Sequence, residues 1–230
     1  MLSRLTGGFI YRRDKLKQVL TTIIASIVLL GCAQRITPQY RNVVDVSYAI
    51  SDETGDIYCS STKIGHELFL TAAHCLGKPD GLFIVDKADT PIKATIVRKD
   101  EPNDLALISA PISGPNVRLL TIDPTLGDEV LAIGWPLGMG PTLTRGLWQG
   151  NTKIEVEDGV ERRYSYITAP LAPGNSGGGV FVLYNGEWYL AAVSQAVPVI
   201  AINGFTPNLV FHLGMVSYPP QLKAFLNEKN

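Results

Sequence analysis

Three side chains have the types and the order suited to acyl transfer: His74, Asp104 and Ser176. A serine hydroxyl attacks a carbonyl only when a base takes its proton. The base needs a carboxylate to hold its tautomer, and the oxyanion that forms needs N–H donors. His74 sits in Thr71-Ala-Ala-His-Cys75, directly after the apolar run Leu68-Phe-Leu70, and its small neighbours Ala72 and Ala73 leave room around the imidazole. Asp104 opens Asp104-Leu-Ala-Leu-Ile108, so its carboxylate stands at the mouth of a buried strand, desolvated enough to orient a histidine. Ser176 lies among Gly174, Gly177 and Gly178, which permit a tight backbone. The N–H groups of Gly174 and Ser176, with Asn175 between them, are the candidate oxyanion donors. Taken singly, each element also has a plain reading: a glycine turn, a hydrogen-bonded core histidine, a strand-end acid. Asp100 and Glu101 rival Asp104 on proximity alone, but neither precedes an apolar strand, so both read as surface charges.

The elements that must hold these groups are short strands. Val44, Val46, Tyr48 and Ile50 alternate with Asp45, Ser47 and Ala49, which is the periodicity of a strand. Further strands are predicted at 68–70, 82–85, 92–97, 104–108, 130–133, 164–167, 180–184, 188–193 and 209–212. Asn185-Gly186 between two such runs is a hairpin signal, because both turn positions need positive φ. A break at Pro111-Ile-Ser-Gly-Pro115 divides two similar halves, and Leu222 and Phe225 mark a terminal helix.

Composition bounds the rest. The chain has 230 residues with 46% apolar, enough for a sizeable core, and its 20 basic and 21 acidic residues nearly cancel. A balanced charge gives no built-in attraction to nucleic acid, and high hydrophobicity argues against disorder. Twenty-two glycines and 15 prolines fit many turns between short strands.

The runs around His74, Asp104 and Ser176, in that chain order, resemble the trypsin-like serine peptidases, over about Val43 to Phe225. Pro173-Gly-Asn-Ser-Gly-Gly178 and Ala132-Ile-Gly-Trp-Pro-Leu-Gly138 are most similar to the bacterial HtrA/Deg-type protease domain. The resemblance implies an all-β fold of two six-stranded antiparallel β-barrels, at about 43–115 and 116–217, followed by a helix at about 219–228. It implies a serine endopeptidase acting on proteins or peptides through an acyl-enzyme, with no cofactor. The alternative is a catalytically weak binding module on the same fold at the cell surface. It also implies a disulfide between Cys59 and Cys75, two buried free thiols being the alternative. With those cysteines assigned and three scattered histidines, no metal set is expected.

Two departures from the digestive members matter. Asn175 stands where they carry an Asp that pairs with a freed N-terminus, so no switch of that type is expected. Pro170, six residues before Ser176, stands where trypsin has an Asp, which argues against Lys or Arg selection. Ala169, Leu171 and the run Val193-Ser194-Gln195 suggest a small or apolar pocket, with that run pairing with the substrate backbone. His212 either reaches the pocket, favouring Glu or Gln as in glutamyl endopeptidases, or is an ordinary strand histidine. No peptide-sensing domain is expected after the protease body, and a monomer is expected.

Arg4, Arg12, Arg13, Lys15 and Lys17 precede the uncharged run Val19–Leu30, the pattern of a signal peptide and short for a membrane span. Leu29-Leu-Gly-Cys32 resembles the lipobox of bacterial lipoproteins. The resemblance implies a signal peptide at 1–31, lipidation of Cys32 and a tether at 32–42, an uncleaved signal anchor being the alternative. Ala33 after the cysteine implies the periplasmic face of the outer membrane in a Gram-negative host.

Overall fold

The computed structural model describes residues 36–77, 81–155, 161–197, 199–200, 208–209 and 213–228. The lipobox, Cys32 and His212 lie outside the described residues. Among the described residues no helix is long and apolar enough to cross a membrane. Both sheets belong to the compact unit Gln39–Asn230.

Seven strands make the first sheet: β1 (Ser47–Ser51), β2 (Ile57–Gly65), β3 (Leu68–Thr71), β4 (Phe83–Val85), β5 (Pro91–Lys93), β6 (Thr95–Asp100) and β7 (Leu105–Ser109). Their order is β5-β4-β1-β2-β3-β7-β6, and every pair is antiparallel. The second sheet is a closed barrel of six: β8 (Glu129–Gly134), β9 (Thr142–Glu155), β10 (Glu161–Ile167), β11 (Gly179–Tyr184), β12 (Glu187–Ala196) and, after the small pair β13 (Val199–Ile200) and β14 (Asn208–Leu209), β15 (Gly214–Ser217). The expected pair of six-stranded barrels is therefore corrected in its first member, which has seven strands and an open hydrogen-bond ladder. The reason is local. β5 and β6 are consecutive stretches of one extended run that changes partner at Ala94: β5 pairs with β4, β6 pairs with β7, and the Ala94 N–H donates instead to the Leu82 carbonyl (2.8 Å).

The alternation read at 44–50 also resolves differently. A short helix, Arg41–Val44, precedes β1, and all five β1 residues are buried, Ser47 and Ala49 included. Period two predicts a wet face only where one side of a sheet meets water. Here both sides are covered, and Ser47 satisfies its hydroxyl by donating to the Val43 carbonyl (2.7 Å). The hairpin at Asn185-Gly186 forms as read, with φ of +51° and +80° and Tyr184 opposite Glu187.

The terminal helix spans Pro219–Asn227 and buries Leu222 and Phe225. They join a core cluster with Leu70, Leu107, Leu131 and Phe181, drawn from both sheets. Arg98 on β6 lies over the Phe225 ring at 4.3 Å and donates to the Phe225 carbonyl, fixing the helix to the first sheet.

Candidate active site

His74 is held from three directions. It lies in a single 3-10 turn, Ala73–Leu76, that follows β3. A disulfide from Cys75 to Cys59 ties that turn to β2. The Asp104 carboxylate grips the histidine twice, with Oδ2 2.8 Å from the ring Nδ1 and Oδ1 accepting the His74 backbone N–H at 2.9 Å. With Nδ1 as the donor, Nε2 is left as the basic nitrogen. The ring is half exposed, so a substrate can reach it.

Asp104 occupies the left-handed region (φ +51°), a conformation costing on the order of 1 kcal/mol for a residue other than glycine. It is held there by its N–H to the Glu101 carbonyl (3.1 Å) and by the Gln195 side-chain amide, which donates to the Asn103 and Asp104 carbonyls (2.7 and 3.1 Å). The rival acids are otherwise engaged. Asp100 accepts from Asn103 through both carboxylate oxygens, and Glu101 pairs with Lys99 at 2.5 Å, which holds the Glu101 carboxyl below its ordinary range.

The Ser176 loop is built round two glycines. Gly174 has φ +97°, and a Cβ there would meet the Trp135 carbonyl at 2.4 Å. Gly177 has φ +82°, and a Cβ there would meet Thr71 Oγ1 at 2.1 Å and the Ser60 carbonyl at 2.2 Å. The Pro173 carbonyl accepts the Leu137 N–H (2.8 Å). Because C=O and N–H point oppositely across a trans peptide, the Gly174 N–H faces away from Leu137. Neither the Gly174 nor the Ser176 N–H donates to an acceptor among the described residues. The Asn175 N–H, in contrast, closes a turn on the Ala172 carbonyl (3.0 Å). Two N–H groups without an acceptor among the described residues therefore flank the Asn175 N–H. Ser176 Oγ lies 3.4 Å from the Gln195 carbonyl, and no hydrogen bond joins it to the His74 ring among the described residues.

Beside the loop is a cavity of about 250 Å³, walled by Leu171, Ala172, Pro173, Ser194, Ala196 and Val197, with no charged side chain among the described residues that line it. Of the residues expected to form it, Leu171, Ser194 and Gln195 line it, Ala169 is buried in the barrel core, and Pro170 is exposed. Val193 and Ser194 complete the barrel: the Val193 N–H donates to Ser217 Oγ, and Ser194 exchanges hydrogen bonds with Gly177 and Gly178. The edge of β12 facing the Ser176 loop opens only from Gln195 onward. A second cavity, about 490 Å³, adjoins His74 and is lined by Lys99, Glu101, Arg162, Tyr164, Gln195 and Ala196 among others.

Cys59, Cys75 and His74 bring three potential ligand atoms within 4.8 Å of one another, but the disulfide leaves no thiolate to hold a metal. Inside the loop, Asn175 Oδ1 is buried without a donor among the described residues. Two contributors escape a sequence reading. Ser60 anchors the Ser176 loop and Leu137 turns the Pro173 carbonyl. The only local signal for Ser60 is its place beside Cys59, and for Leu137 its place in the Ala132–Gly138 run.

A family model described as a trypsin-like peptidase domain matches residues 54–189. A Staphylococcus epidermidis protein described as serine protease HtrA-like is 25% identical over 183 residues, covering 68% of this chain and 31% of its own length. A Staphylococcus aureus protein of the same description is 30% identical over 148 residues, covering 57% of this chain and 19% of its own. The chain thus spans under a third of the length of these curated relatives. Among solved structures, the active form of the Rv3671c protease from M. tuberculosis superposes with a TM-score of 0.68 at 20% identity, covering 82% of each chain. The HtrA-type protease AlgW with a tripeptide gives 0.66 at 20% identity, covering 81% of this chain and 60% of that one.

Proposed function

Since this chain belongs to the trypsin-like peptidase family, we propose that it is a serine endopeptidase in which His74, Asp104 and Ser176 act as a triad. One observation carries the reading: a single carboxylate holds His74 at both its ring Nδ1 and its backbone N–H. That leaves Nε2 as the basic nitrogen, the one a serine hydroxyl would engage.

The reaction follows from these positions. An extended substrate adds to the open edge of β12 at Gln195 and Ala196, and its side chain before the scissile bond enters the uncharged 250 Å³ cavity. In this reading Ser176 Oγ leaves the Gln195 carbonyl, 3.4 Å away, to hydrogen-bond His74 Nε2. Oγ attacks the carbonyl carbon as Nε2 takes its proton. The new oxyanion is held by the Gly174 and Ser176 N–H groups, each such donor contributing ~3 to 4 kcal/mol to the transition state. The imidazolium, stabilised by Asp104, gives its proton to the leaving amine and an acyl-enzyme remains. Water then attacks that ester by the same route, and Ser176 is regenerated. The cavity lining favours a small or aliphatic side chain before the cleaved bond and disfavours Lys and Arg, which would bury an unpaired charge.

The chain acts at a membrane surface, held by lipid on Cys32, on the periplasmic side of the outer membrane in a Gram-negative host. This rests on the lipobox pattern. Labelling with a fluorophosphonate, beside Ser176→Ala and His74→Ala controls, tests the enzyme reading. A folded chain that takes no serine-dependent label defeats it. For the anchor, Cys32→Ala should move the protein from membrane to soluble fractions; undiminished membrane retention defeats lipidation.

A further inference from the structure

We infer that Ser60 is a positioning residue for the oxyanion hole: a strand side chain from the first sheet that locks the nucleophile loop of the second. The inference rests on the triad reading and adds a residue to it that none of the motifs contains.

The need for a lock comes from Gly174. With no Cβ and φ of +97°, the peptides on either side of it rotate at little cost: rotation of the one before swings the Gly174 N–H away, and rotation of the one after shifts the adjoining Asn175–Ser176 peptide, which carries the second donor. The peptide before Gly174 is held by Leu137 through the Pro173 carbonyl. The peptide after it is held by Ser60, whose Oγ donates to the Gly174 carbonyl at 2.7 Å. Ser60 Oγ is itself aimed by accepting the Trp135 N–H at 3.0 Å. The same residue grips the loop again two positions on, its N–H donating to the Ser176 carbonyl at 2.8 Å. Both residues that supply the open donors thus have their carbonyls tied to Ser60.

Ser60 is fully buried, so water does not substitute for these bonds. Its surroundings are fixed too: a Cβ on Gly134 would come within 2.9 Å of Ser60 Oγ and of Asn175 Cα, so the loop, Gly134 and Ser60 are in close packing. A strand serine ordinarily returns its hydroxyl to nearby backbone. Here it crosses to a partner 114 residues away. Removing the hydroxyl leaves the Gly174 carbonyl and the Trp135 N–H buried without partners, and the cheapest relief is rotation of the Gly174–Asn175 peptide, which displaces the Ser176 N–H one peptide further on.

Loss of one oxyanion donor lowers kcat ~10²- to 10³-fold, and a displaced donor keeps part of its effect. Ser60→Ala is therefore expected to lower kcat on a peptide p-nitroanilide ~10- to 100-fold with KM within twofold, and to weaken a peptide boronate by the same factor as kcat. A purely structural role lowers the melting temperature and leaves kcat and boronate affinity in place; that result overturns the inference. Ser60→Cys, which keeps the shape but donates weakly, serves if the alanine variant does not fold, with mass spectrometry verifying that Cys59–Cys75 is intact. Parent kcat in the cysteine variant overturns the inference equally. A parent chain that takes no fluorophosphonate label sinks the triad reading and this inference with it. A labelled parent with an unimpaired Ser60→Ala sinks this inference alone.

Discussion

Replacing Asp104 by Asn is the sharpest test of how the site is wired. The carboxylate accepts two hydrogen bonds from one residue, the His74 backbone N–H at 2.9 Å and the ring Nδ1–H at 2.8 Å. An asparagine of the same shape has only one oxygen to offer, and its other position is an NH₂ donor. The backbone N–H cannot change its polarity, so the oxygen stays with it and the NH₂ faces Nδ1. That arrangement is satisfied only if Nδ1 carries no hydrogen, which moves the ring proton to Nε2, the atom that must receive the serine proton. The fold keeps its shape while the base is in the wrong tautomer. In triads of this kind the same exchange lowers kcat ~10⁴-fold, equivalent to about 5.4 kcal/mol at 1.36 kcal/mol per decade. The assay is steady-state turnover of a peptide p-nitroanilide together with the rate of fluorophosphonate labelling, beside a melting curve. The expected result is a loss of ~10⁴ in both rates with little change in melting temperature. Retention of activity within tenfold of the parent refutes the two-point grip as the source of the tautomer.

Gly177→Ala places a Cβ into Thr71 Oγ1 and the Ser60 carbonyl at a backbone angle unsuited to alanine, so the soluble yield or the melting temperature should collapse in a thermal-shift comparison. Breaking the disulfide with the pair Cys59→Ala and Cys75→Ala frees a loop of sequence separation 16 and should lower stability by about 3 kcal/mol in denaturant titrations. Burial pushes the Tyr58 phenol up to about 12, with Asp52 adding to the shift. Its contribution to stability is therefore full below the unfolded value near 10 and lost as pH rises through the folded value. Ultraviolet titration should show a phenol ionising near 12 that Tyr58→Phe removes, and that variant should lose less stability between pH 10 and 12.

What the sequence makes legible is whatever is written in neighbouring residues. Asn185-Gly186 specifies its own turn, and Leu222 and Phe225 mark the buried side of the terminal helix. Each member of the proposed triad stands in a run whose chemistry is local: small residues beside His74, an apolar strand behind Asp104, glycines round Ser176. What stays hidden is set by approach between distant segments. Ser60 reads as one more strand serine until Gly174 is brought beside it, and Gln195 reads as a substrate contact although its amide supports the Asp104 turn. The alternation at 44–50 leaves the start of β1 unmarked, because it does not show that Arg41–Val44 turns as a helix, and a small polar residue such as Ser47 is buried once its hydroxyl finds the Val43 carbonyl. The open first ladder is hidden because β5 and β6 form one uninterrupted extended stretch, and only the partners on each side reveal the break at Ala94.

That break leaves the first sheet with two free rims, and a free rim is a template on which a neighbouring molecule can build a cross-chain ladder and aggregate. The residues found there oppose it. β5 is three residues long and begins with Pro91, which has no N–H to offer, and it ends in Lys93. β6 ends in Arg98, Lys99 and Asp100. A short rim, a missing donor and fixed charges make intermolecular growth unfavourable. The closed second barrel has no such rims, so in these two sheets the protection of exposed rims lies in one ten-residue stretch, Pro91 to Asp100.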